Sequence, residues 1–159
     1  MDRRITKIKY SKGFVSIDWT QGEGNNDEYS IKCSEPPRQE FVSAMLGLNK
    51  YVAEMCELPE NYAVRLTTQG VSFNYGGENE TMGATITAQM KLLNSNAPLN
   101  LNTPNKTVEP YSESQPWSEK TCLSEECVDA LAELESEANM YIDGQRAQAR
   151  LFEEEKEAC

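Results

Sequence analysis

The sequence predicts an α+β domain: an antiparallel sheet of about six strands with an amphipathic helix on one face. A long polar linker, a C-terminal helix and an acidic tail follow. Three observations support this. Apolar residues alternate with polar ones over residues 6–33 and again over 62–92, the period of a half-buried strand. Between those stretches Phe41, Met45, Leu48, Val52 and Met55 recur at spacings of 4, 3, 4 and 3, the stripe of a helix lying on a sheet. Beyond residue 108 the composition turns acidic.

Thr6, Ile8 and Tyr10 alternate with Lys7 and Lys9, Ser11-Lys12-Gly13 supplies a turn, and Val15, Ile17 and Trp19 alternate with Ser16 and Asp18. That is a hairpin pattern. Gln21 to Asp27 is a glycine- and asparagine-rich loop, and Tyr29, Ile31 and Cys33 mark a third strand. Pro36-Pro37 opens the helix with Ser34 as candidate cap, and Pro59 stops it. Strands resume at Tyr62, Val64 and Leu66, turn at Gln69-Gly70, and return through Val71, Phe73 and Tyr75. After the loop Gly76 to Glu80, alternation from Met82 to Leu92 gives the longest strand signal.

Asn94 to Thr121 is rich in Asn, Pro, Ser and Thr. Either Leu99 and Leu101 form a short extra strand, or the segment wraps the surface as a linker. Ser124 caps the second helix, with Glu125 and Glu126 at its positive end, Leu123 stapling to Val128, and Gly144 closing it. Its stripe is Cys127, Leu131, Leu134, Ala138, Tyr141 and Ile142. The expected organisation is a core over 1–93, a polar segment over 94–121, a helix over 122–144 and a charged tail over 145–159.

Residues 1–108 carry 11 basic and 12 acidic side chains, whereas residues 109–159 carry 4 and 14; the net charge of −11 therefore sits almost wholly in the last third. An overall acidic pI does not exclude an anionic ligand from the first two-thirds. Mean hydropathy is −0.65, and no apolar run is long enough to span a bilayer. The opening Met1-Asp2-Arg3-Arg4 is not followed by the apolar run of a signal peptide. The expected setting is the cytoplasm of a bacterial host cell.

Five cysteines without CxxC spacing, and no histidine, leave no metal-ligand set, so no metal or other cofactor is expected. Cys33 and Cys56 read as small buried apolar residues, and Cys159 as a free thiol. The acidic groupings Glu78/Glu80 and Glu153-Glu154-Glu155 fall in a loop and a tail, and no phosphate-binding glycine loop or nucleophile elbow is present. A non-enzymatic protein is expected.

Two constellations point to partners. The outward side chains of the alternating strands include Lys7, Lys9, Lys32, Arg65 and Lys91 against one acid, Asp18, with Ser, Thr, Asn and Gln between them. Such a face suits a phosphate backbone, and Phe14 is placed to stack on a base of single-stranded DNA. The same residues also suit an ordinary solvated sheet face. In the tail, Gln148-Ala149-Arg150-Leu151-Phe152 matches the Q-x-x-L-F core of peptides that bacterial replication proteins insert into the sliding clamp. Gln148 would anchor it and Leu151 and Phe152 would fill an apolar pocket. A different class of partner is a host nuclease or effector bound by the acidic helix Glu125–Glu137, an anti-defence role; the acids also serve plain solubility.

Whole phrases carry a resemblance: Asp27-Glu28-Tyr29-Ser30, Cys56-Glu57-Leu58-Pro59-Glu60, Gly70-Val71-Ser72-Phe73, Thr81-Met82-Gly83-Ala84-Thr85-Ile86, and the run from Asn94 to Pro104. Over roughly residues 4–152 the chain resembles a family of uncharacterised small phage and prophage proteins of Gram-positive bacteria. The resemblance implies an early protein of a temperate phage, encoded among replication and recombination functions. It assigns no role to any residue.

Overall fold

The computed structural model describes residues 3–25, 27–76, 80–110 and 116–146. The chain runs through strands β1 (Arg4–Ser11), β2 (Phe14–Gln21) and β3 (Asp27–Cys33), then helices α1 (Gln39–Leu46) and α2 (Asn49–Met55). Strands β4 (Leu66–Gly76), β5 (Thr81–Met90), β6 (Leu99–Asn102) and β7 (Lys106–Thr107) follow, and helix α3 (Glu125–Ile142) comes last. The sheet order is β3-β2-β1-β4-β5-β6, with β7 also on β5, and every strand pair is antiparallel. This is the expected α+β architecture.

The β1–β2 hairpin forms as its sequence predicts. Lys12 and Gly13 both have positive φ, 54° and 79°, the backbone of a two-residue turn that matches strand twist. Inner-face residues of the central strands then share one core with the helices: Ile8, Val15, Ile17, Val71 and Ile86 from the sheet, Phe41, Met45, Leu48 and Val52 from α1–α2, Leu131 and Leu134 from α3. Phe41 contacts Tyr10 edge-on at 6.1 Å and Tyr141 at a tilt, also 6.1 Å. All three helices therefore lie on the same face of the sheet.

Two bulges change the expected strands. In β1 the register shifts between Ile5 and Lys7, so Ile5 and Ile8, three apart, are both buried and Thr6 is not in the apolar row. An extra residue reverses the alternation once. In β4 the shift between Thr68 and Gly70 lets Leu66, Thr68, Val71 and Phe73 all point inward. The expected turn at Gln69-Gly70 is thus a bulge within one strand. Gly70 is needed for close approach: a Cβ there would lie 3.0 Å from the Ile8 carbonyl oxygen. Tyr62 and Val64 belong to a 3-10 turn, Glu60–Arg65, rather than to a strand, and Val64 is exposed.

The first helix also differs. It breaks at Gly47–Leu48 into α1 and α2, and Arg38 stands at the N-cap in place of Ser34. Gly47 weakens the helix, and Asn49 is held to β4. Its Nδ2 donates to the Leu66 carbonyl at 2.9 Å, and its Oδ1 accepts from the Thr68 N–H at 2.8 Å and hydroxyl at 2.7 Å. Leu48 remains fully buried at the junction, so the apolar stripe survives the break.

Helix α3 follows its sequence signals closely. Ser124 Oγ accepts from the Cys127 N–H at 3.2 Å, Cys127, Leu131, Leu134, Ala138 and Tyr141 are buried, and Gly144 at φ 99° ends the helix. In the polar segment Leu99 and Leu101 do form a strand, β6, paired with Met90 and Ala88 of β5. Thr103 extends that edge by bonding Ile86 through both backbone and side chain. The burial expected of Cys33 and Cys56 is not found, whereas Cys127 is buried as its place in the α3 stripe predicts. Cys33 and Cys56 are only half-buried and Cys122 and Cys127 are the buried pair, because Cys33 ends an edge strand and Cys56 lies just past α2. Among the described residues no helix is long and apolar enough to cross a membrane.

Candidate nucleic-acid interface

Antiparallel pairing places residues opposite one another on the same face, so the register defines the outer surface row by row. One row runs Ser30, Asp18, Lys7, Ser72, Thr85, and the next runs Lys32, Ser16, Lys9, Gly70, Thr87, Asn102. Lys7, Lys9 and Lys32 therefore stand together on the surface that the helices leave open. At the turn end of this surface Phe14 is 46% exposed, with Lys32 Nζ 5.4 Å from its ring centroid. That ring is available to a base, and the ammonium above it to a phosphate.

Arg65 and Lys91 reach the same face at the same end, across the sheet beside the start of β4 and the end of β5, by a route the sequence did not indicate. Arg65 closes the 3-10 turn and Lys91 lies just past β5. They are locked together: the Lys91 N–H donates to the Arg65 carbonyl at 2.8 Å, and Arg65 Nε donates to the Lys91 carbonyl at 2.9 Å. The guanidinium also stacks over Tyr62, 4.8 Å from its centroid. With Thr67, Gln89, Ser95 and Asn96, and Leu92 and Pro98 as apolar walls, they line an open cleft of about 240 Å³ to which no carboxylate contributes among the described residues. Two cations, two hydroxyls and two amides around such a volume suit an anion the size of a phosphate group.

Among the described residues, none of Lys7, Lys9, Lys32, Arg65 and Lys91 forms an ion pair, whereas Arg3, Arg4, Arg38 and Arg146 all do. The paired cations are all arginines; Lys12, Lys50, Lys106 and Lys120 likewise form no ion pair among the described residues, so what sets this surface apart is that five unpaired cations share it. One correction applies to its acid content. Thr20 pairs with Glu28, so Glu28 joins Asp18 on this face. Both lie on the β2–β3 side, and Asp18 accepts a hydrogen bond from the Ser30 hydroxyl at 2.8 Å. The surface is therefore graded, acidic at one corner and cationic toward the Phe14 turn and the Arg65–Lys91 cleft.

Between the cations runs a ladder of side-chain bonds: Ser11 to Gln69, Gln69 to Gln89, Gln89 to Asn100, and Thr87 to Asn102. Asn105 accepts from both Asn74 and Thr85. These bonds hold the amides in place before any ligand arrives. Asn100, Asn102 and Asn105 were missing from the sequence-based face. The available signal was the Leu-Asn-Leu-Asn alternation at 99–102.

On the opposite side Glu125, Glu126, Asp129 and Glu133 project from α3, exposed and unpaired among the described residues. The acidic row of α3 and the five cations of the outer face thus lie in opposite layers. Gln148, Leu151 and Phe152 lie outside the described residues; the helix before them ends at Ile142. No group of three or more metal-binding side chains occurs among the described residues. No protein-family model matches this chain, and no curated protein or solved structure is significantly similar to it.

Proposed function

We propose that the protein is a non-enzymatic accessory factor of phage DNA replication or recombination, acting in the bacterial cytoplasm, and that its outer sheet face holds single-stranded DNA. The observation that carries this reading is the set of five cations that have no carboxylate partner among the described residues, on a face that none of the described helices covers. The strand's phosphates run from Lys32 and Lys9 toward the cleft at Arg65 and Lys91, and Phe14 stacks a base. The Gln148–Phe152 peptide tethers the complex to a replication protein such as the sliding clamp.

Fluorescence anisotropy with a labelled oligo-dT over a salt series tests the DNA component. Each neutralised phosphate on a single strand contributes about −0.7 to the slope of log affinity against log salt, so engagement of all five cations gives about −3.5. No binding at low salt would overturn it. For the tail, Leu151→Ala with Phe152→Ala abolishes clamp pull-down; undiminished retention removes that component.

A second reading has its own support in the unpaired acidic face of α3. In it the protein inhibits a host nuclease or effector by covering a basic surface. Charge reversal at Glu126, Asp129 and Glu133 would then destroy the protein complex, while glutamine at Lys7, Lys9 and Lys32 would not.

A further inference from the structure

We propose that β3 is a self-complementary edge through which two copies of this chain join into one continuous antiparallel sheet. The inference is independent of DNA binding. Among the described residues strand β3 ends the sheet on one side, with no strand beyond it, and it lies in unbroken register with β2 over all its residues. It contains no proline and no bulge. The opposite edge is different: β6 is only four residues long and sits between Pro98 and Pro104. Short edge strands and prolines guard against pairing. Strand β3 lacks both protections.

The sequence of β3 is Asp-Glu-Tyr-Ser-Ile-Lys-Cys. An antiparallel two-fold centred on Ser30 sets Glu28 opposite Lys32 of the second copy, Tyr29 opposite Ile31, and Ser30 opposite itself. The charged pairs are of opposite sign and fall on the outer face; the aromatic–aliphatic pairs fall on the inner face. Both kinds of cross-strand pair are favourable. A two-fold perpendicular to the sheet keeps each face continuous across the junction, and of such registers only this one pairs the whole strand. The charges that would guard this edge against a foreign strand therefore attract a second copy.

Exposure agrees. Tyr29 is 43% exposed although it points to the helix side and stacks on Trp19 at 5.8 Å, so the helices leave this end of the inner face uncovered. A second copy would cover it with its own Tyr29 and Ile31. The joined sheet would carry two sets of Lys7 and Lys9 on one side, with each Lys32 facing Glu28 of the other copy.

The test is sedimentation velocity of the full chain over a concentration series, with a disulfide cross-link as a geometric check. The parent protein should dimerise. Lys32→Glu and Glu28→Lys should each weaken self-association by about tenfold or more, because each puts like charges opposite one another at both symmetric positions. An equimolar mixture of the two variants should restore the dimer, since every pair across the mixed interface is again of opposite sign. Ser30→Cys should cross-link across the axis under mild oxidation, and Ser136→Cys on α3 should not. A parent that stays monomeric overturns the proposal. So does a dimer that ignores both charge reversals, or a Ser30→Cys variant that cross-links no better than Ser136→Cys.

Discussion

Replacing Lys7, Lys9 and Lys32 together by glutamine removes three of the five cations from the outer face and keeps their stems. The register puts Lys7 and Lys9 on β1 and Lys32 on β3, either side of β2, with no carboxylate within ion-pair distance among the described residues, so no buried partner is stranded by their loss. The cost to folding should be within about 0.5 kcal/mol per site. The cost to binding is much larger. With about 0.7 counterions released per phosphate on a single strand, losing three contacts at roughly 0.1 M salt weakens binding by about 100-fold, taking the ionic term to vanish near roughly 1 M. The salt slope should fall from about −3.5 to about −1.4 in the same experiment. The control is a charge-matched set away from those rows: Lys50 on α2, Lys106 on β7 and Lys120. Anisotropy with labelled oligo-dT reads both variants, and thermal melting confirms that each is folded. Equal losses in the two variants would show that net charge alone matters, and an unchanged slope in the first would refute the interface.

Asn49→Ala removes three hydrogen bonds from α2 to β4 and strands polar groups at Leu66 and Thr68. The expected loss is about 2–4 kcal/mol, measured by urea unfolding. The Cys33 thiol is lowered, first by the Glu35 N–H that it accepts, then by Tyr141 and the nearby Arg146 cation, whereas burial pushes the Cys127 thiol up to about 12. In a Cys159→Ser background, alkylation near neutral pH should therefore modify Cys33 well before Cys127, as read by peptide mass spectrometry. Arg3 holds the Asp143 carboxyl, and Arg4 the Glu80 carboxyl, below the usual carboxylate range through hydrogen bonds. Stability from such lowered groups is complete above the ordinary carboxylate pKa and is lost as pH falls through the lowered values. Arg3→Gln with Arg4→Gln should flatten the stability profile between roughly pH 5 and pH 2 in thermal melts.

Helix α3 and the three cations Lys7, Lys9 and Lys32 were legible because their signals are local. Ser124, the apolar spacing from Cys127 to Tyr141 and Gly144 each act within one or two turns, and strand alternation puts Lys7 and Lys9 on one face without reference to any distant residue. The bulges were not legible. An extra residue at Thr6 or Gln69 reverses the alternation only because a partner strand dictates the pairing, so one strand with a bulge reads as two strands and a turn. Glu28 was left off the outer face because the strand signal began at Tyr29, whereas pairing with β2 begins at Asp27.

The sequence alone determined the elements whose causes lie within a few residues: the first hairpin with its Lys12-Gly13 turn, the capped C-terminal helix, and the separation of a near-neutral body from an acidic end. Tertiary structure decided everything that depends on pairing across the chain. It joined two expected strands into β4 and divided one helix where Asn49 meets that strand. It also brought Arg65 and Lys91, 26 residues apart, into one cleft and left β3 as an open edge. The reason is physical: a turn, cap or apolar stripe is stabilised by its neighbours in sequence. Register, edge exposure and the grouping of charges are set by contacts that exist only once distant segments have met.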